Sequence, residues 1–272
     1  MKLSEPTTIA IIGGRGKMGS LFAEAFRKKD YAVLVSDEGN TNNFQLAEQG
    51  DVVIVSVPLE YTEQVIEEIG PYVREEALLT DFTSIKKKPV AAMLEYSRAE
   101  VIGGHPLFEP SVDSFKGLDM ILCPARGENY LSGYKNALES MGLKVTVTDA
   151  VKHDKKMAAI QCLTHISNIA FAYALGRMDK GDLPEITTPA QLLRLYAVKR
   201  MLSQEPSLYS GILSENPFAE DAARTYMDAV TEVTAMVQDD EKKKLEELLR
   251  SLQQGFKDHP ALRNKSVKIS NE

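Results

Sequence analysis

The sequence predicts an α/β chain in which a doubly wound parallel sheet is followed by an all-helical domain. Three observations predict it. Short β-branched runs alternate with helical stretches from Thr8 to about Asp149, the order that builds a parallel sheet covered on both faces. Four glycines fall within "IIGGRGKMGS", residues 11–20, straight after the first of those runs. From Val151 to about Lys257 the strand signals stop and a 3.6-residue period takes over. The expected division is a sheet domain over 1–150, a helical domain over 151–260 and a loose polar tail over 261–272.

Each element follows from its own stretch. "TIAII", "YAVLVS", "DVVIVSVP", "ALLTDF", "EVIGG", "DMILCP" and "LKVTVT" are the strand candidates, rich in the residues that fit a pleated, buried surface. A helix from about Lys17 to Lys28 follows the glycines. In the second half, Thr188, Pro189 and Gln191 form a capping box with proline at the first helical position, and the helix runs to about Ser203. Asn216 and Pro217 begin another. "DDEKKKLEELLR" then places acids before bases, as the helix dipole favours.

Composition excludes several classes of function. A net charge of −7 and a pI near 5.3 argue against nucleic-acid binding, which needs a basic face, so any anionic ligand must be held by local cations. No stretch reads as a run of about 20 apolar residues, and the N-terminus lacks the layout of a signal peptide; no membrane partner and a cytoplasmic location are expected. Cys123 and Cys162 stand far apart without CxxC spacing, so neither a disulfide nor a metal site is expected.

The glycines carry the first functional signal. Gly14, Gly16 and Gly19 make a GxGxxG pattern between a strand and a helix, the context of a Rossmann-like dinucleotide site. The first glycine is expected to make the tight turn, the second to admit a pyrophosphate and the third to let helix pack on strand. The phosphates would rest on the helix N-terminus, with Arg15 and Met18 in the same loop. Asp37, at the end of the second strand, is placed to accept hydrogen bonds from the ribose hydroxyls, which favours NAD over NADP. Ser56, Val57 and Pro58 end the third strand at the carboxyl edge, where open α/β sheets bind ligands.

Four histidines are candidates for proton transfer, since a neutral imidazole accepts a hydroxyl proton near neutral pH. His105, in "VIGGHPLFEP", reads as lying just after a strand at the cofactor edge, with Gly103 and Gly104 leaving room and Pro106 fixing a turn. Ser84, in "DFTSIK", suits either a substrate contact or an ordinary helix N-cap. His165 shares an apolar helical face with Ala158, Cys162 and Ile169 and reads as a core residue. His153 reads as part of a helix entry with Asp154, and His259 is discounted. Arg194 and Arg200 lie on different faces of one helix.

Taken in order, "IIGGRGKMGSLF", "VVIVSVP", "DFTSIK", "GGHPLFEP", "HDKKMAAIQCLTH" and "KRMLSQEPSLYSGIL" resemble the prephenate dehydrogenase family of tyrosine biosynthesis over about residues 8–215. The resemblance implies His105 as the catalytic histidine, Ser84 as an active-site serine, His165 as a substrate contact and Arg200 as the carboxylate-binding arginine. It implies NAD-dependent oxidative decarboxylation of prephenate to 4-hydroxyphenylpyruvate, and a homodimer paired through the helical domain. His165 thereby moves from core residue to site residue.

The match has departures. "HPLFEP" replaces the commoner "HPxAGT", with Glu109 where a related branch has glycine, and a second arginine of some members falls on Leu192, so Arg194 does not inherit its role. Neither a fused chorismate mutase nor a regulatory domain is expected. Glu109 leaves arogenate open as the substrate. A β-hydroxyacid dehydrogenase would use Lys155 or Lys156 instead, and a redox-sensing regulator would want a DNA-binding helix pair that the sequence does not show.

Overall fold

The computed structural model describes residues 7–36, 43–178 and 187–257; the tail read over 261–272 lies outside them. Its first half alternates β1 (Thr8–Ile12), α1 (Lys17–Arg27), β2 (Ala32–Ser36), α2 (Asn43–Gln49), β3 (Val52–Val55), α3 (Leu59–Ile69), β4 (Leu78–Asp81), α4 (Lys87–Tyr96) and β5 (Glu100–Pro106). Then come β6 (Asp119–Arg126), α5 (Asn129–Ser140) and β7 (Lys144–Val147). All seven strands join one sheet in the order β2-β1-β3-β4-β5-β6-β7.

The alternation of apolar residues explains the two covered faces. Ile9, Ile11, Val52 and Ile54 point to a cluster with Phe22 and Phe26 of α1 and Tyr134 and Leu138 of α5. Their neighbours Ala10, Ile12, Val53 and Val55 point the other way, to Ile66 and Ile69 of α3 and Val90 and Met93 of α4. Residues i and i+1 of a strand face opposite sides, so a continuous apolar run is what a sheet buried on both faces requires.

The sheet is parallel except at one step: β6 runs antiparallel to β5, with His105 opposite Ile121. The connection between them contains Pro110 and Gly117 and forms no helix, so the chain turns back instead of crossing over. Strands β1, β3, β4 and β5 therefore end at one carboxyl edge.

The helical half begins with α6 (Ala150–Met157), a π-turn over Ala158–Cys162 and α7 (Leu163–Arg177), continues through α8 (Pro189–Leu202) and α9 (Pro206–Glu215), and ends with α10 (Ala219–Gln238) and α11 (Lys242–Phe256). Compact units divide this stretch differently from the sequence reading. The first unit runs through Ala158 and also takes residues 206–217; the second takes 159–205 and the chain from Phe218 onward. Residues 151–158 stay with the sheet because His153, Asp154 and Met157 are buried there. Asn216, read as a helix start, instead donates from Nδ2 to the backbone oxygen of Asp154 at 2.9 Å.

The N-cap half of the box read at α8 forms, with the Thr188 hydroxyl accepting from the Gln191 N–H at 3.2 Å and Pro189 at the first helical position, while the Gln191 side-chain oxygen accepts instead from the Thr187 hydroxyl at 3.2 Å. The continuous helix Ala150–Arg177 is longer in apolar length than the sequence reading allowed. By length and composition it could cross a membrane, with an 18-residue window of mean hydropathy 1.2. The residues that begin it, His153 and Asp154, are engaged in polar contacts within the first unit.

Candidate active site

The glycine loop joins β1 to α1. Gly13, outside the GxGxxG pattern, is the residue with the left-handed backbone, at φ +77°, so it rather than Gly14 makes the tight turn. A Cβ on Gly13 would lie 2.6 Å from the carbonyl oxygen of Ser56. Gly14 is instead pressed by Val35, 2.7 Å from where its Cβ would stand. At Gly19 the corresponding distance to the Gly13 oxygen is 2.4 Å, so only a bare α-carbon lets α1 approach the end of β1.

The α1 N-terminus is open to an anion. Gly16 is its N-cap, no side chain caps it, and no acid stands in its first turn. The unsatisfied N–H groups of a helix start, with the positive end of its dipole, suit a phosphate. Arg15 and Lys17 are exposed and Met18 is half-buried beside this end. Ser56, at the end of β3, donates its N–H to Ile12 O at 2.8 Å, which sets Ser56, Val57 and Pro58 beside the glycine loop. Asp37 lies outside the described residues.

His105 is placed differently from the sequence reading. It lies within β5, second from its end, and Pro106 closes the strand rather than a turn. The ring is 2% exposed. The room beside Gly103 and Gly104 is already taken: a Cβ on Gly103 would meet Lys86 Cδ at 3.0 Å, and one on Gly104 the Asp81 backbone oxygen at 2.5 Å. Gly103 leaves room for the Lys86 stem, and Gly104 lets the strand lie close on the end of β4. Lys86 Nζ donates to Gly104 O at 2.6 Å and pairs with Asp81, both side chains fully buried. Asp81 Oδ1 in turn accepts the Gly104 N–H at 3.2 Å.

A second buried chain meets the His105 ring itself. His105 Nδ1 is 2.9 Å from His153 Nε2, and His153 Nδ1 is 2.7 Å from Asp154 Oδ1. His153 and Asp154 are both 0% exposed. The same carboxylate accepts the N–H of Lys86 at 2.8 Å and of Lys87 at 2.9 Å, and so caps α4 from a distant part of the chain. Ser84 is consequently not the cap of α4; the N-cap is Lys86, with no side-chain bond of its own. Desolvation is the main cause that pushes the His105 pKa well below the usual histidine value, with His153 and Lys86 adding to it. His153 is also lowered by burial, against the opposing pull of Asp154. Cys123, on β6, is pushed up to about 12 by burial, which makes it an inert thiol.

The glycine loop, the Ser56–Pro58 loop, Ser84 and His105 share the carboxyl edge of the sheet. His165 and Arg200 belong to the second compact unit, on α7 and α8. His165 is half-buried, and burial lowers its pKa. Arg200 is exposed in the last turn of α8. Arg194 bonds within its own unit: its Nη2 donates to Ser167 O at 2.9 Å, and its guanidinium lies 5.3 Å from the Phe171 ring centre, so it ties α8 to α7. Glu109 is half-buried just past β5. No cluster of metal-binding side chains occurs among the described residues.

Sequence reasoning missed His153 and Asp154 as partners of the site. A signal was available, because His153, Asp154, Met157, Ala158 and Cys162 recur on one helical stripe, and two polar residues on an inward stripe call for buried partners.

The prephenate dehydrogenase nucleotide-binding domain matches residues 23–147, and the prephenate dehydrogenase dimerization domain matches residues 149–254. The chain belongs to the prephenate dehydrogenase family. It is 34% identical over 233 residues to the "T-protein" of Haemophilus influenzae, covering 82% of this chain and 61% of that protein. It is 31% identical over 271 residues to the "Probable arogenate/prephenate dehydrogenase" of Methanocaldococcus jannaschii, covering 92% and 61%. The chain thus spans about three fifths of these relatives' length.

Solved structures share the family's fold at low identity. The prephenate dehydrogenase of Aquifex aeolicus, in complex with hydroxyphenyl propionate and NAD+, superposes with a TM-score of 0.78 at 20% identity, over 93% of this chain and 98% of that one. Synechocystis arogenate dehydrogenase gives 0.73 at 18% identity, over 92% and 99%.

Proposed function

We propose that the chain is an NAD-dependent prephenate dehydrogenase that converts prephenate to 4-hydroxyphenylpyruvate by oxidative decarboxylation. The observation that carries this reading is His105, a buried neutral imidazole at the sheet edge that also bears the glycine loop. The open α1 N-terminus and the Cβ-free approach at Gly13 and Gly19 fit a dinucleotide pyrophosphate, with Gly14, Arg15, Gly16, Met18, Ser56, Val57 and Pro58 around it. Asp37 is assigned to the ribose on its sequence position. NAD, when bound, supplies the hydride acceptor.

Proton abstraction falls to the chain. Prephenate carries a hydroxyl on its ring, and neutral His105 takes that proton as the adjacent C–H bond gives up hydride and the ring carboxylate departs as carbon dioxide. Ser84 contacts the substrate hydroxyl or the histidine. Arg200 holds a carboxylate through a charge-assisted contact and His165 adds a polar contact, so that positioning contributes alongside proton transfer.

The test is the rate of nicotinamide reduction with prephenate or arogenate, each with NAD and with NADP. Rapid reduction with prephenate and NAD is expected. A preference for arogenate, which the half-buried acid Glu109 would accommodate through an ammonium contact, would move the substrate assignment. Silence with all four pairs from a protein that still binds NAD would overturn the reading.

Arg200→Ala is expected to raise the KM for prephenate at least tenfold while NAD affinity stays at the wild-type value, since a charge-assisted contact contributes roughly 1.5–3 kcal/mol. Equal loss of both affinities would remove the carboxylate role.

We further propose a homodimer through the helical unit. Leu192, Leu193, Tyr196 and Leu202 of α8 and Val230, Val233 and Val237 of α10 are exposed apolar side chains. Light scattering is expected to give twice the chain mass of 30.1 kDa, and a monomer across micromolar concentrations would refute the pairing.

A further inference from the structure

A histidine acts as a base only through the ring nitrogen that lacks a proton, so the tautomer of His105 decides whether the residue works. The buried chain beside it determines that tautomer by elimination. Asp154 as a carboxylate only accepts hydrogen bonds, so at 2.7 Å His153 must donate from Nδ1. A neutral His153 then has its lone pair on Nε2. The proton in the 2.9 Å contact between the rings therefore belongs to His105 Nδ1, which leaves the His105 lone pair on Nε2. His153 and Asp154 are fully buried and His105 is 2% exposed, so the contact between the two rings lies away from water that could compete for it.

The carboxylate that begins this chain is itself held firmly. It accepts the N–H groups of Lys86 and Lys87 at the start of α4, while the Asp154 backbone oxygen accepts from Asn216 Nδ2. Its orientation is thus set by a helix terminus and not by a rotatable side-chain partner.

We propose that His153 and Asp154 are positioning residues that hold His105 in the Nδ1–H tautomer, with Nε2 as the base, and that the N-terminus of α4 anchors the pair. This rests on the reading of His105 as the base. When the substrate proton arrives on Nε2, Nδ1–H keeps its bond to His153, so no ring has to turn during the transfer. The charge gained by His105 is offset through the same chain by Asp154, while the nearby Lys86 cation is already paired with Asp81.

Two measurements test it. The chain has four histidines, so ¹⁵N labelling of histidine gives a spectrum in which His105 is assigned by its loss in His105→Asn. The wild-type protein is expected to show His105 protonated on Nδ1 and bare on Nε2, in the absence of any substrate. A proton on Nε2 overturns the proposal.

The second measurement compares His153→Leu, which removes the acceptor, with His153→Gln, whose amide oxygen still accepts from Nδ1–H. Turnover of His153→Leu is expected to fall about 10–100-fold, the range for partners that orient an active group, with KM for both substrates near wild type. His153→Gln is expected to recover most of the loss, which a purely structural role would not predict. Wild-type turnover in folded His153→Leu would overturn the proposal even if His105→Asn were inactive. Full activity in His105→Asn would instead overturn the reading on which it rests.

Discussion

His105→Asn is expected to lower turnover about 10²–10⁴-fold, the range that a positioned proton acceptor supplies, while NAD and prephenate affinities change little. Asparagine keeps a polar side chain on β5 but has no nitrogen that takes a proton. The pH profile adds an independent check. Because desolvation by burial holds the His105 pKa well below the usual 6.5, the base is already neutral at that pH. kcat/KM should therefore stay level as the pH is lowered through 6.5 and fall only well below it. A limb centred at 6.5, or near-normal turnover in the variant, would take the role of base away from His105.

Lys86→Met is expected to destabilise the sheet-bearing unit by about 3–5 kcal/mol, the usual result of removing one partner from a buried ion pair. The methionine fills nearly the same buried space beside Gly103. It leaves the Asp81 carboxylate fully buried, with the Thr83 N–H at 3.0 Å and the Gly104 N–H at 3.2 Å as backbone donors and no cation. Urea unfolding followed by circular dichroism reads the change as a lower midpoint. The double variant Asp81→Leu with Lys86→Met should regain much of the loss, because replacing a buried pair by apolar groups is often neutral. An unchanged midpoint in Lys86→Met would mean that the two groups do not form a buried ion pair.

Both predictions concern residues that the sequence displayed unequally. His105 stood out because a histidine after "VIGG" at a strand end has few structural reasons to be there. Lys86 did not, since a lysine near "SIKKKP" resembles any basic helix start, and nothing local shows that only the first of three lysines is buried. Ser84 illustrates the converse: a serine ahead of a helix invites the cap reading, yet α4 is capped by Asp154, 67 and 68 residues from the N–H groups it binds.

The sequence by itself determined what depends on neighbours along the chain. The apolar alternation of the strands, the glycine-rich turn between β1 and α1, and the Thr188 cap of α8 are all short-range consequences of residue shape and spacing. Tertiary structure alone decided which distant groups meet. It turned β6 antiparallel to β5, put Arg194 on Ser167, and set His153 against His105, 48 residues earlier. Local periodicity carries no information about such pairs, because their geometry is set by how helices and sheet close around a shared buried space, where each polar group must find a partner wherever the chain supplies one.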